Sequence, residues 1–170
     1  HAHGTLIIAT DADCVLPKNW VETIVSYYEL NAPKFIIGPV QIKNGKGFLG
    51  IFQMLDFMNS FLINASGIKS GLHYLCSAAN IAYDKNTFIQ INAYDTNHHI
   101  SSGDDIFLIH KMKSLFPHDI HVLKSVETIV ETKAEIDLKH FISQRLRWAN
   151  KMKFNKDWKV MFIASLVWFQ

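Results

Sequence analysis

Cysteine is scarce in this chain: Cys14 and Cys76 are the only two in 170 residues. So few exclude a disulfide framework and a thiolate metal centre, and they point to a reducing, cytosol-facing environment. The opening residues do not read as a signal peptide, and His1-Ala2-His3 runs directly into Gly4-Thr5 and an apolar segment, so it is taken as native. Nowhere is there the run of roughly 20 apolar residues that a bilayer crossing requires. Strong charge of one sign is also missing. A formal net charge of +2 is too small to imply a nucleic-acid partner. There is no internal repeat and no low-complexity tract. Nine histidines are present, but His1/His3, His98-His99 and His118/His121 lack the helical spacing with glutamate used by zinc enzymes. With a hydrophobic share of 49% against a charged share of 19%, the chain reads as globular and long enough for one domain with a sizeable core.

Charge is unevenly distributed. From Lys133 onward there are eight basic residues against three acids, which leaves +5 there and −3 over the remainder. A basic segment of this kind suits anionic ligands or a phospholipid surface, and equally a solvated helix face. It runs into Val160–Phe169, which is almost unbroken apolar sequence behind Lys151, Lys153, Lys156 and Lys159. That is half a membrane crossing with the lysine flank of a cytoplasmic boundary. The expectation is a catalytic unit over 1–158 and the start of a truncated membrane or interfacial helix over 159–170. A short buried helix is the alternative.

Along the chain, Thr5–Thr10 is a continuous, partly β-branched apolar run and predicts a fully buried strand. Pro17 is placed in the first turn of a helix carrying Trp20 to about Leu30. Lys34–Ile42 predicts a second strand, bent or at an edge because Gly38-Pro39 interrupts it. Phe48 to about Ile63 predicts an apolar helix, buried or interfacial, too short and too interrupted by Gln53, Asp56 and Asn59 to span a membrane. Small residues from Cys76 to Ala82 lead into a β-like segment, and Asp84 caps a short helix. A polar loop over Asn92–Ser102 precedes a helix from about Asp104 to Phe116, capped by Ser101 or Ser102 and stopped by Pro117. A strand over His121–Val126 and a helix over Leu138–Asn155 follow. Strands alternating with helices make this an α/β layered domain.

Three clusters carry chemistry. Asp11-Ala12-Asp13 sits just past a strand, where open α/β sheets place ligands and where two carboxylates can share a hard divalent cation with substrate phosphates. An Asp-rich turn has the same composition. Asp104 and Asp105 open a helix, a position that suits a general base in a cleft and that the helix dipole also favours. Gln144-Arg145-Leu146-Arg147-Trp148 lies inside a helix, with 144 and 148 sharing a face. Arginine's planar fork matches diphosphate oxygens, and tryptophan offers a flat wall to a sugar. An amphipathic basic helix would look the same.

The order D-A-D, then a small-residue segment, then G-D-D at a helix start, then Q-R-L-R-W resembles the family 2 processive glycosyltransferases, which include cellulose, chitin and hyaluronan synthases. The resemblance covers Gly4 to about Trp158, and Gln144–Trp148 is its most specific part. It implies a partial GT-A (Rossmann-like) domain lacking its N-terminal nucleotide-binding half. It also implies a donor such as a UDP-sugar, a saccharide or lipid-linked acceptor, and a Mg²⁺ or Mn²⁺ cofactor. The site would be at the cytoplasmic face of the plasma membrane. Position by position, Asp11 would contact the nucleotide sugar and Asp13 the metal on its diphosphate. Asp105 matches the last position of the family's T-E-D and would be the base. Asp104 stands for the glutamate and Gly103 replaces the threonine. Gln144, Arg147 and Trp148 would border acceptor and diphosphate, with Arg145 in a variable slot, and Ser77, Ala78 and Asn80 would line the acceptor side. The isolated piece is expected to show little or no transfer activity and weak nucleotide affinity. The competing expectations are a two-metal phosphotransferase or nuclease using Asp11, Asp13, Asp104 and Asp105, and a carbohydrate-binding scaffold with the same fold.

Overall fold

A computed structural model describes residues 3–43, 45–72, 75–92 and 104–152. The expected polar loop at 92–102 beyond Asn92, the caps Ser101 and Ser102, Gly103, His98-His99 and the apolar segment 160–169 lie outside the described residues.

The protein is a mixed α/β structure. Among the described residues, six strands and five α-helices occur in the order β1 (Leu6–Ala9), α1 (Trp20–Asn31), β2 (Phe35–Ile37), β3 (Val40–Lys43), α2 (Gly47–Ser70), β4 (Ile81–Asp84), α3 (Lys85–Gln90), α4 (Asp104–Leu115), β5 (Ile120–Val122), β6 (Val130–Lys133) and α5 (Leu138–Met152). The main sheet has the order β1-β4-β2-β5, and β3 pairs with β6 in a second, two-stranded sheet. β4 is antiparallel to both its neighbours and β2 is parallel to β5, so β1, β2 and β5 all point the same way.

Side-chain alternation along the strands divides the core into two layers. Phe35 and Ile37 of β2, with Ile81 and Ile120, pack against Leu108, Ile109 and Met112 of α4 and Ile68 of α2. Ile36 and Ala82 point the other way, onto Trp20 and Ile24 of α1 with Leu123 and Val130. The helix ends follow local rules. Ala32 (φ 48°) and Gly71 (φ 70°) end α1 and α2 in left-handed conformations, each returning its N–H to a carbonyl of the last turn. Asp84 caps α3 as expected, accepting from Thr87 N at 2.7 Å, and Tyr28 Oη donates to its other oxygen at 2.7 Å. Burial would raise the Asp84 carboxyl, but the bonds from Thr87 and Tyr28 outweigh it and hold the group below its ordinary value.

Several boundaries differ from the sequence expectations. β1 is half-buried rather than fully buried, because the strand order puts it at one end of the sheet. Pro17 precedes α1, which begins at Trp20 behind the Asn19 cap. The expected strand over 34–42 is two strands in two sheets, with Gly38-Pro39 as the switch; β2 lies inside its sheet, not at an edge. The 121–126 strand is confined to Ile120–Val122, and β6 was not anticipated. α2 runs to Ser70, so at 24 residues it is long and apolar enough to cross a membrane, the one such helix among the described residues.

One buried carboxamide ties the layers together. Asn80 Oδ1 accepts from Trp20 Nε1 at 3.1 Å, while its Nδ2 donates to Pro39 O at 2.8 Å and Thr128 O at 2.7 Å. A Cβ at Gly38 would lie 2.3 Å from Asn80 Nδ2, so glycine is required where the chain switches sheets. Asn80→Ala strands the buried indole N–H and the Thr128 carbonyl. It is expected to lower the unfolding free energy by about 3 kcal/mol or more. Urea denaturation measures this, and a loss below about 1 kcal/mol would show that the bonds are dispensable.

Candidate functional site

Strand register aligns Ala9, Ile81, Ile37 and Val122 across the main sheet. Here β1, β2 and β5 end and β4 begins, so four connecting segments meet at one edge. They are the Asp11-Ala12-Asp13 turn, the Ser77–Asn80 turn, Gly38-Pro39, and the segment after β5. The two turns that carry candidate site residues are therefore neighbours, although far apart in sequence. This is the carboxyl edge of the parallel strands, the ligand side of open α/β sheets.

Asp11 and Asp13 are both exposed. Their turn is closed by Cys14 N donating to Asp11 O at 3.2 Å. It is then stitched to β6 by reciprocal bonds between Val15 and Glu131, at 2.8 and 3.0 Å. The Cys14 thiol is pushed up by burial and by the charges of Asp13 and Asp11, against an opposing bond to Thr10. It stays protonated at neutral pH and is a poor nucleophile. Among the described residues, no group of three or more His, Cys, Asp or Glu could hold a metal ion. Two exposed carboxylates in an anchored turn fit a magnesium-type cation that completes its shell with water and phosphate oxygens.

The Ser77 hydroxyl accepts from Ala79 N at 3.4 Å and starts the short helical turn Ala78–Asn80. Ser77 is exposed and Ala78 half-buried. Asn80 departs from expectation: its carboxamide is fully engaged by Trp20, Pro39 and Thr128, so its part is to fix the turn rather than to meet a ligand. Asp104 and Asp105 open α4. The end of α4 leads through Asp119, whose carbonyl accepts from Lys34 N at 2.9 Å, into the start of β5.

The Gln144–Trp148 helix, α5, is held by α2. The Arg145 guanidinium forms an ion pair with Asp56, at side-chain exposures of 13% and 9%. It also lies 4.6 Å from the Trp148 ring centroid and 4.8 Å from that of Phe141. Phe52 meets Phe141 edge-on at 5.8 Å, and Phe57 meets Trp148 at 5.7 Å. Gln53, fully buried, donates to Glu135 O at 3.1 Å and accepts from Glu135 N at 2.9 Å. Glu135 in turn accepts from Gln144 Nε2 at 2.7 Å. Arg145, which the resemblance puts in a variable slot among the diphosphate and acceptor residues, is engaged by Asp56 and three aromatic rings. Arg147 is exposed, and Trp148 keeps 37% of its surface.

Gln53, Asp56 and Glu135 escaped the sequence reading. Gln53 and Asp56 were visible only as polar interruptions of an apolar helix; they attach it to the Glu135 backbone and to α5. β6 joins the two regions, since Glu131 pairs with Val15, two residues past Asp13, and Glu135, just beyond the strand, holds Gln144. No protein-family model matches this chain, and no curated protein matches it.

Removing one partner of a buried ion pair costs far more than replacing both by apolar groups. Asp56→Ala is expected to cost about 3 kcal/mol and to raise hydrogen exchange throughout α5, whereas Asp56→Leu with Arg145→Met recovers most of that loss. Equal losses in the single and double variants would show that the pair does not anchor α5.

Proposed function

We propose that this chain is catalytic sequence of a metal-dependent, inverting glycosyltransferase with a GT-A domain. It would move a sugar from a nucleoside-diphosphate donor, of the UDP type, to a hydroxyl of a saccharide or lipid-linked acceptor. The observation that carries the reading is the sheet-edge register, which brings the Asp11–Asp13 turn beside Ser77–Ala78. The Q-R-L-R-W helix is tethered to that turn through β6. The order of the motifs along the chain supports it independently.

In this reading Asp11 meets the nucleotide sugar and Asp13 the cation. A bound Mg²⁺ or Mn²⁺ supplies charge neutralisation for the departing diphosphate. Asp105, with Asp104 beside it, takes the proton from the acceptor hydroxyl. The acceptor oxygen then bonds to the anomeric carbon as the carbon–oxygen bond to the diphosphate breaks on the opposite face, which inverts the configuration. Ser77 and Ala78, a narrow pair, let the acceptor approach the sheet edge closely. Arg147 is the arginine open to diphosphate oxygens, and the free face of Trp148 suits a sugar ring. Gln144 and Arg145 serve by holding that helix in register, and positioning of this kind supplies much of the acceleration in group transfer.

Calorimetric titration with UDP of the full-length protein that carries this sequence, with and without Mn²⁺, tests the reading. Binding should require the metal and fall at least tenfold, about 1.4 kcal/mol, in Asp13→Ala. Binding indifferent to both the metal and the substitution removes the central residues from the proposal.

A further inference from the structure

The two-stranded sheet has a polar outer face. Val40, Ile42 and Val130 are buried, while the alternate side chains Gln41, Lys43, Glu131 and Lys133 lie on the other side of the β3–β6 ladder. Glu131 accepts there from Lys43 Nζ at 2.5 Å and from Gln41 Nε2 at 3.2 Å, and these bonds, Lys43 first, hold its carboxyl below its ordinary value. Lys43 and Lys133 are direct register partners on this face. Neighbouring strands lie about 4.8 Å apart, so the two lysines start side by side and repel. The carboxylate of the ladder is taken by Lys43, and Lys133 is exposed and makes no ion pair among the described residues. On its other side β6 meets the segment that follows the candidate cation turn. The Val15–Glu131 bridge is antiparallel, with reciprocal backbone bonds at 2.8 and 3.0 Å. Moving along β6 from Glu131 to Lys133 therefore moves from Val15 back toward Asp13. Lys133 stands on the side of the bridge where Asp11 and Asp13 are exposed.

We infer that Lys133 is a further substrate-binding residue, whose ammonium holds phosphate oxygens of the nucleoside diphosphate at the Asp11–Asp13 turn. The inference rests on the proposed reading of that turn as the cation and nucleotide site. Charge balance carries it. A divalent cation shared by two carboxylates has its charge already offset, so the diphosphate needs positive charge from elsewhere. Arg147 on α5 is one source. Lys133 is the cation that backbone register brings to the turn itself, and it has no carboxylate to answer it. Lysine suits the task as a compact point charge with three donors on a flexible stem. Lys43 is not a second contact of this kind, because Glu131 neutralises it. The facing pair of lysines, unfavourable for the ladder by itself, becomes favourable once an anion lies against Lys133.

The test is calorimetric titration of the full-length protein that carries this sequence, in the presence of Mn²⁺, with UDP and with inorganic pyrophosphate. Lys133→Met is compared with Lys133→Arg and with Lys69→Met, which removes an exposed lysine in the last turn of α2. Circular dichroism establishes that each variant is folded. Lys133→Met should weaken both ligands about tenfold and flatten the dependence of affinity on salt. Lys133→Arg should keep most of the affinity, and Lys69→Met all of it. Mn²⁺-dependent UDP binding that is equal in the wild type and Lys133→Met overturns the inference and leaves the reading of the Asp11–Asp13 turn standing. Equal losses in Lys133→Met and Lys69→Met overturn it in favour of a general effect of net charge. A wild-type protein that takes pyrophosphate through Lys133 and ignores UDP keeps the phosphate contact and removes the nucleotide reading. One that takes neither ligand removes both.

Discussion

The carboxamide of Asn80 is the interaction on which the rest depends. Its three bonds join the first residue of α1, the turn where the chain leaves the main sheet, and the loop that carries it from β5 to β6. In a low-dielectric interior each bond is stronger than in water and each unpaired partner costlier. A fully satisfied amide there specifies one arrangement of three segments that share no regular hydrogen-bond ladder. Because Asn80 is also the last residue before β4, the same amide sets where β4 begins, and through the β1–β4 register where the Asp11–Asp13 turn sits. Gly38 is a consequence of this arrangement, since any side chain there would occupy the space of the amide.

A similar economy governs α2. An apolar helix of this length gains little specificity from burial alone, because many rotations about its axis cover comparable area. Gln53 and Asp56 remove that freedom. The first matches both hydrogen-bonding groups of Glu135, and the second neutralises a guanidinium packed among Phe57, Phe141 and Trp148. A buried ion pair is weak support for net stability and stronger support for a unique arrangement. Here it fixes which face of α2 meets α5 and therefore which face is left apolar and exposed.

What could be read from the sequence, and what could not, follows from the range of the interactions. The Asp84 cap, the end of α4 before Pro117, the start of α5 near Leu138 and the α/β class are written in local pattern, and all are found. β6 was missed because Val130–Lys133 alternates with charged residues and resembles a loop; it becomes a strand because β3 and Val15 offer it partners on both sides. β1 read as fully buried from its unbroken apolar run, yet it ends the sheet, and strand order is not a local property. At the site, the Asp11–Asp13 turn and the Ser77–Ala78 turn were legible as residues, but their adjacency was not, because it resides in register. Asn80 was singled out for the acceptor side and Arg145 stood in a variable slot of the motif, and both find partners within the fold: an amide and a guanidinium look the same in sequence whether they meet a ligand or the fold.

Paramagnetic broadening by Mn²⁺ of the backbone amide NMR spectrum, recorded with UDP present, tests the shared edge most directly. If the sheet edge is one cation and diphosphate site, amides of Asp11–Cys14 and of Ser77–Ala79 broaden together at the lowest Mn²⁺ additions. Broadening centred on His118 and His121, or on Asp11–Cys14 with Ser77–Ala79 untouched, would contradict a site built from the two turns.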